Sequence, residues 1–384
     1  MIGIGGKTKA EALSNLVNMT NDITPISQSE YQARIKQAQN IMVSENIDAL
    51  YLNAGTNLYY FTGTRWYASE RMVAAIIPQS GNVFYIAPNF EVDTLKQFMH
   101  VEGDICSWHE HESPYQLLVN TFKQKQLTCS NLAIDESTPY FIADGIKAIA
   151  PEISLFNSKN ITAGCRMQKS DSEIALLQRA KDMTIEVHKA VASILCEGLT
   201  TQEVTEFIDD AHRAVGASGS YFCIVLFGED SSYPHGVKNP KALEKNDVVL
   251  IDTGCQLEGY NSDITRTYVF GEATEYQREM WQIEKDAQIA AFNAAKIGEP
   301  CGVVDDAARA YLASKGLGPD YQTPGCPHRT GHGIGLDIHE WPYLVSSDQT
   351  LLAKGMAFSN EPMLVLPGKF GIRLEDHFYM TDNG

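Results

Sequence analysis

The sequence predicts an α+β protein of two domains, and three observations carry that expectation. Its 384 residues exceed what one hydrophobic core usually serves. Residues 29–164 alternate helix-period stretches with short apolar runs, the pattern of an α/β domain. From residue 165 an order of long helix, shorter helix and strands occurs twice. Gly198 and Gly298, His235 and His339, Asp252 and Glu361, and Asp263 and Glu375 stand at offsets of 100, 104, 109 and 112. Such self-similarity implies two related halves facing each other, each supplying a histidine and two carboxylates to a shared cleft.

At the start, Met1–Ala12 lacks the basic opening and apolar core of a secretory signal. The polar residues around Met19–Ile26 suggest a loosely held arm, so residues 1–28 read as an N-terminal arm. Ser29 with Gln32 reads as a capping box opening a helix through Ile35, Ala38 and Met42, which ends near Asn46. Strands are expected at 48–52, 72–77 and 82–86, the last two joined by the turn Gln79-Ser80-Gly81, and again at 132–135 and 153–156. Helical stretches fall at 89–99, 114–124 and 138–149. His109 and His111 could bind a metal, but they read as a surface loop, as do Arg65, Trp66 and Arg71. No chemistry is expected before residue 165.

A boundary falls near 159–170, where the apolar pattern lapses. Ser170 with Glu173 then caps a helix whose face carries Ile174, Leu177, Met183, Val187, Val191 and Ile194, and Gly198 ends it. Thr200 with Glu203 caps the next. Strands follow at 221–227 and 248–254. The second round gives helices from Glu275 and Gly302, a loop rich in glycine and histidine, and strands at 356–364 and 371–380.

Composition narrows the function. A net charge of −18 argues against nucleic acid and anionic membranes as main partners. No apolar run approaches the roughly 18–20 residues of a membrane-crossing helix. Eight cysteines are scattered without a Cys-x-x-Cys pair, which fits reduced cytosolic thiols better than disulfides or a zinc ribbon. A cytoplasmic location is expected.

Chemistry concentrates in four stretches. The apolar run Val248–Ile251 ends in Asp252, and after a turn with Gly254, Gly259 and Asn261, Asp263 opens a second run, Ile264–Phe270. An antiparallel hairpin brings the two carboxylates together, and buried carboxylates repel unless a proton or cation lies between them. His328, His332 and His339 stand among glycines that allow close backbone approach and unusual dihedrals. Ser359-Asn360-Glu361-Pro362 puts a carboxylate at a strand end. In Arg373-Leu374-Glu375-Asp376, Arg373 and Glu375 share one strand face and Asp376 takes the other. Four carboxylates with imidazole suit hard divalent cations such as Mn²⁺, with Co²⁺ or Zn²⁺ also compatible. Four are more than one ion requires, and they match two ions about 3.5–4 Å apart bridged by carboxylates and a hydroxide.

These motifs resemble those of the pitta-bread metallopeptidases over 165–380, and the chain from about residue 29 resembles the two-domain Xaa-Pro peptidases, prolidase and aminopeptidase P. Ile-Asp-Thr-Gly, Ser-Asp-Ile-Thr-Arg-Thr, Gly-His-Gly-Ile-Gly, Asn-Glu-Pro and Arg-Leu-Glu-Asp occur in the family's order and spacing. The resemblance implies an N-terminal creatinase/prolidase-like α/β domain at 29–164, and a pseudo-two-fold pitta-bread (creatinase/aminopeptidase-like) catalytic domain at 165–384. It implies Asp252, Asp263, His332, Glu361 and Glu375 as metal ligands, with Asp263 and Glu375 bridging two divalent ions. It implies His235 as a substrate-binding histidine, His339 as support for the tetrahedral intermediate and His328 as a further cleft histidine. Arg373 is implied to orient a ligand or a substrate carboxylate, and Glu361 doubles as the proton acceptor. Proline-containing di- or oligopeptides are the implied substrates and a homodimer the implied assembly. Met363 departs from the glycine that prolidases often carry after Glu-Pro. The chain also ends at Gly384, nine residues past Glu375, where relatives usually continue, so an incomplete last strand edge is expected. Two alternatives compete. A creatinase-like C–N hydrolase shares both domains but not the five ligands, and a non-catalytic binding protein on this scaffold loses them.

Overall fold

The computed structural model describes residues 4–384 as two compact units, one spanning Pro25–Arg166 and the other joining the residues up to Thr24 to Met167–Gly384. The first helix, α1 (Lys9–Ser14), opens on a capping box between Thr8 and Glu11. The residues after it correct the expectation of a loose arm. The Met19 amide donates to Val215 O at 2.9 Å, and Arg179 forks onto both oxygens of Asp22 at 2.6 and 2.9 Å. Partners so distant in sequence leave no mark in local composition.

The unit Pro25–Arg166 runs α2 (Gln28–Glu45), β1 (Ala49–Asn53), α3 (Thr56–Thr62), β2 (Ala74–Pro78), β3 (Phe84–Pro88), α4 (Val92–Phe98), β4 (Asp104–Trp108), α5 (Pro114–Gln124), β5 (Asn131–Ile134), α6 (Tyr140–Ile149), β6 (Ser154–Asn157) and α7 (Lys159–Arg166). Its mixed sheet has the order β4-β3-β2-β1-β5-β6, antiparallel at β3-β2-β1 and parallel elsewhere. The central strands are buried along their length, as runs such as Ala74–Ile77 require. Helix α2 is capped by Ser27, which accepts from the Glu30 amide, so the cap sits two residues before the expected Ser29. Asn46 ends that helix in the left-handed region at φ 56°. Helix α7 fills the stretch where the apolar pattern lapses, an 8-residue helix of about two turns around the buried Ile161 and Cys165. His109 and His111 are exposed and stack on each other at 5.9 Å, and Trp66 packs edge-on against Phe98.

The larger unit continues with α8 (Asp171–Ile194), α9 (Thr201–Ala214), β7 (Phe222–Phe227), β8 (Val248–Gly254), β9 (Gln256–Leu257), β10 (Tyr260–Asn261), β11 (Ile264–Val269), α10 (Glu275–Ala294), α11 (Gly302–Ser314), β12 (Gly331–Gly333), β13 (Glu340–Leu344), β14 (Ala357–Asn360), β15 (Met363–Leu366), β16 (Phe370–Arg373) and β17 (Asp376–Tyr379). Both expected capping boxes form, Ser170 with Glu173 and Thr200 with Glu203. The halves repeat in space: β7-β8-β11 pair antiparallel in the first, and β12-β14-β17 pair antiparallel in the second, with β13 added at the edge.

Two corrections bear on the site. The strand expected at 356–364 is two strands, broken at Glu361-Pro362, and the strand expected at 371–380 is broken at Leu374-Glu375. Asn360 pairs with Asp376 on one side of these breaks and Met363 with Arg373 on the other. The breaks therefore lie opposite each other, and a glutamate emerges from each. The loop rich in glycine and histidine also contains β12 and β13, whose pairing slips between His332 and Gly333. Its glycines serve close approach only. A Cβ on Gly331 would lie 2.0 Å from the Ser359 carbonyl oxygen, while Gly331, Gly333 and Gly335 keep ordinary negative-φ backbones.

Candidate metal centre

The five candidate donors converge from both halves. Asp252 lies within β8, Asp263 just before β11, His332 in β12, Glu361 just after β14 and Glu375 just before β17. Their atoms form two sets of three, Asp252 with Asp263 and Glu375, and His332 with Glu361 and Glu375; within each set all atoms lie within 4.8 Å of one another. Glu375 belongs to both sets. A third set, Asp263 with His332 and His339, links them further. All five are buried or nearly so.

Hydrogen bonds aim these groups. The Nδ1 of His332 lies 3.0 Å from its neighbour's carbonyl, Gly333 O. A carbonyl only accepts, so Nδ1 carries the proton and Nε2 presents a bare lone pair. That Nε2 lies 3.2 Å from Glu361 Oε1 and 3.6 Å from Asp263 Oδ2 and makes no well-formed hydrogen bond. Glu375 accepts from Ser359 Oγ at 2.5 Å and Thr265 Oγ1 at 2.7 Å. The Asp263 amide donates to His377 Nε2 at 3.1 Å. Arg373, buried, donates to Asp252 Oδ2 and to Thr265 Oγ1, and its Nε lies 3.9 Å from Glu361.

The cluster concentrates negative charge in the interior. Burial pushes Asp263 well above the usual carboxylate range, and the charges of Glu375, Asp252 and Glu361 add to it. Burial, then Glu361 and Asp252, does the same to Glu375. Burial also raises Glu361, but the imidazoles of His332 and His328 and the charge of Arg373 outweigh it and bring it down to about 2. One guanidinium does not balance four carboxylates. Asp252 Oδ1 and His332 Nε2 are buried without a hydrogen-bond partner, an expensive arrangement unless cations take those lone pairs. The donor set, oxygen-rich with one imidazole, fits hard divalent metals.

The cluster opens into a cavity of about 720 Å³ lined also by His235, His328, Arg329 and His339. His339 packs its ring edge-on against His332 at 4.2 Å; burial, with His332 and Arg329 nearby, lowers it to about 4. The Nδ1 of His328 donates to Arg329 O at 2.7 Å, and burial lowers its basicity as well.

Residues 175–382 match the model of metallopeptidase family M24 and residues 34–168 that of the creatinase/prolidase N-terminal domain. The chain belongs to family M24. An uncharacterized peptidase of Staphylococcus aureus is 30% identical over 343 residues, covering 89% of this chain and 94% of that protein. The prolidase of Thermococcus sibiricus is 31% identical with a TM-score of 0.83, covering 92% of this chain and 95% of that one. The dipeptidase PepE of Mycobacterium ulcerans is 31% identical with a TM-score of 0.86, covering 94% and 96%. The protein is thus a metal-dependent peptidase with the two-domain pitta-bread fold.

In this M24 chain, residues that sequence reasoning missed hold the donors in place. Gln288 of α10 donates to Leu374 O at 2.9 Å and to Asn360 O at 3.2 Å, while its own carbonyl accepts from Asn360 Nδ2 at 3.0 Å. Glu284, one turn earlier, accepts from the Leu374 amide at 3.2 Å. These two side chains satisfy the backbone groups freed where Glu361 and Glu375 leave their strands. The signal lay in the sequence as two polar residues, i and i+4, on the buried face of α10. On α11, Asp305 accepts from the Thr330 amide at 3.0 Å and hydroxyl at 2.7 Å, and Arg309 donates to His328 O at 2.6 Å. Nothing local distinguishes that pair from an ordinary i, i+4 surface ion pair.

Proposed function

We propose that the chain hydrolyses the peptide bond preceding proline, using two divalent cations of which Mn²⁺ is the best fit. The observation that carries this reading is the pair of three-donor sets that share Glu375, of which Asp252, Asp263 and Glu361 line one cavity. Asp252, Asp263 and Glu375 would hold one ion; His332, Glu361 and Glu375 would hold the other, with Asp263 reaching towards both. When bound, such ions supply Lewis acidity and make hydroxide available near neutral pH. The chain's own residues do the rest. Glu361 accepts the proton of the attacking water and returns it to the leaving nitrogen. His339, neutral because its basicity is lowered, donates to the developing oxyanion. Arg373 holds Asp252 in position, and His235 and His328 line the approach to the scissile bond. The imide nitrogen of proline has no N–H and a fixed φ, so a dedicated cleft is physically reasonable. The prolidase neighbour supports the same substrate class.

The test is hydrolysis of an Xaa-Pro dipeptide and an Xaa-Pro-Xaa tripeptide with chelated and Mn²⁺-restored enzyme, together with elemental analysis. Metal-dependent cleavage and about two ions per chain are expected. Glu361→Gln should cost about 10²–10⁴ in turnover. Turnover near wild type in that variant, or no metal-dependent cleavage of either peptide, rejects the reading. The proposal extends to a cytoplasmic homodimer, on the resemblance and the scattered cysteines, and sedimentation in solution measures the assembly.

A further inference from the structure

The proposed reading asks His339 to meet the developing oxyanion, and that task places a demand on the loop that carries it. A catalytic group misplaced by about 1 Å loses on the order of 10²-fold in rate. His339 is the last residue of the loop 334–339 between β12 and β13. It lines the cavity and is more exposed than Ile338 and Glu340 on either side. One edge-on ring contact joins it to His332, and the backbone of the loop sets the rest of its placement.

Two holds converge on Gly335 of that loop. The first comes from the other half of the unit. Asn261 of β10 is fully buried, and its amide N–H donates to Gly335 O at 2.9 Å. Its side-chain Nδ2 donates to Gly335 O and to Leu336 O, both at 2.9 Å. Two carbonyls only accept, so the nitrogen faces them, and Oδ1 accepts from Gln256 Nε2 at 3.0 Å. Asn261 stands two residues before Asp263, so one short segment sets both a candidate metal donor and the loop of His339.

The second hold is at the loop's exit. Glu340, the residue after His339, is buried together with Lys169, whose Nζ lies 2.5 Å from its Oε1. The same carboxylate lies against the bare Cα of Gly335, where a Cβ would come within 2.5 Å of Glu340 Oε1. Lys169 is itself anchored, its amide donating to Gly355 O at 2.8 Å. A buried ion pair adds little net stability, because desolvation offsets the attraction. Its contribution here is geometric: it closes the exit of the loop against Gly335 near its start.

Resting on the Xaa-Pro reading, we infer that Asn261 and the Lys169–Glu340 pair are positioning residues that hold His339 where the oxyanion forms. The experiment uses Mn²⁺-loaded wild type, Asn261→Leu, His339→Ala and the double variant, with alanyl-proline and alanyl-prolyl-alanine as substrates. Asn261→Leu should lower kcat about 10–100-fold while KM stays within about two-fold. Amide hydrogen exchange should quicken over 334–339 and stay unchanged over α10. In the His339→Ala background the same substitution should cost less than about two-fold, because the group it places is gone. Lys169→Met combined with Glu340→Gln removes both charges and leaves none unpaired in the interior. That pair should repeat the pattern, and it carries the test if Asn261→Leu loses its fold by thermal melting or its metal. A kcat near wild type in the folded variants overturns the inference. So does unchanged exchange over 334–339, or an equal loss with and without His339. Each of these results leaves the Xaa-Pro reading standing. Wild type that cleaves neither peptide removes that reading, and the inference with it.

Discussion

The hydrogen bond of His332 sets which ring nitrogen faces the candidate donors. Because Nδ1 is committed to Gly333 O, Nε2 faces Asp263 and Glu361 as an acceptor, which a cation can use and another acceptor cannot. His188 shows the same logic away from the centre. It is fully enclosed, its Nε2–H donates to Ile264 O at 2.9 Å, and Nδ1 has no partner. Burial therefore lowers its pKa to about 3. The folded value lies below the unfolded one, so its stabilisation is present above about pH 6.5 and is lost as the pH falls towards 3. The expected slope is about 1.4 kcal/mol per pH unit for one proton. Urea midpoints from pH 7 to 4 should fall more steeply for wild type than for His188→Gln. Parallel curves would show that His188 already carries its proton in the fold.

Helix α10 works on the site as an element. The candidate donors Glu361 and Glu375 leave their strands at facing breaks, and each break frees backbone groups inside the protein. Gln288 and Glu284 meet them from one helical face. Gln288→Leu leaves the carbonyls of Asn360 and Leu374 unpaired in the interior, which should cost about 1–3 kcal/mol of stability. Groups that orient metal ligands typically cost about 10–100-fold in metal affinity when removed, and the same loss is expected here in a Mn²⁺ titration followed by calorimetry. Glu284→Gln keeps an acceptor for the Leu374 amide and should bind metal better than Glu284→Leu. Equal affinities across these variants would assign α10 to packing alone.

Across the whole molecule, the halves meet where like charges accumulate, and protons or bound cations must offset them. Asp263 and Glu375 retain protons in the ion-free fold that the unfolded chain has released above about pH 4. With more protons bound in the folded state, stability falls as pH rises through their raised values. Glu361, shifted down, acts only below that window. Thermal melts with chelator and with excess Mn²⁺ should therefore diverge as pH increases, and the histidine contribution cancels in the difference. At metal concentrations near 100 times Kd the gain is about 2.7 kcal/mol. Curves that stay parallel from pH 5 to 8 would mean that the carboxylates are not the source of the metal dependence.

Chain-local patterns determined much of this protein. The capping boxes at Ser170 and Thr200 and the bounds of β8 follow from residue types at short spacing, because caps, strand runs and turns are made by neighbours in sequence. The repeat of the two halves shows in long offsets, the four carboxylates stand out at strand ends, and His332 as the fifth candidate donor rests on the family resemblance. Only the tertiary structure decided the rest. Glu361-Pro362 and Leu374-Glu375 break their strands because facing partners change there. Arg373 turns to Asp252, 121 residues away, and Gln288 reaches Asn360 across 72. Those contacts depend on how two halves close around a buried charge, and no local pattern encodes which polar group will meet which across that distance.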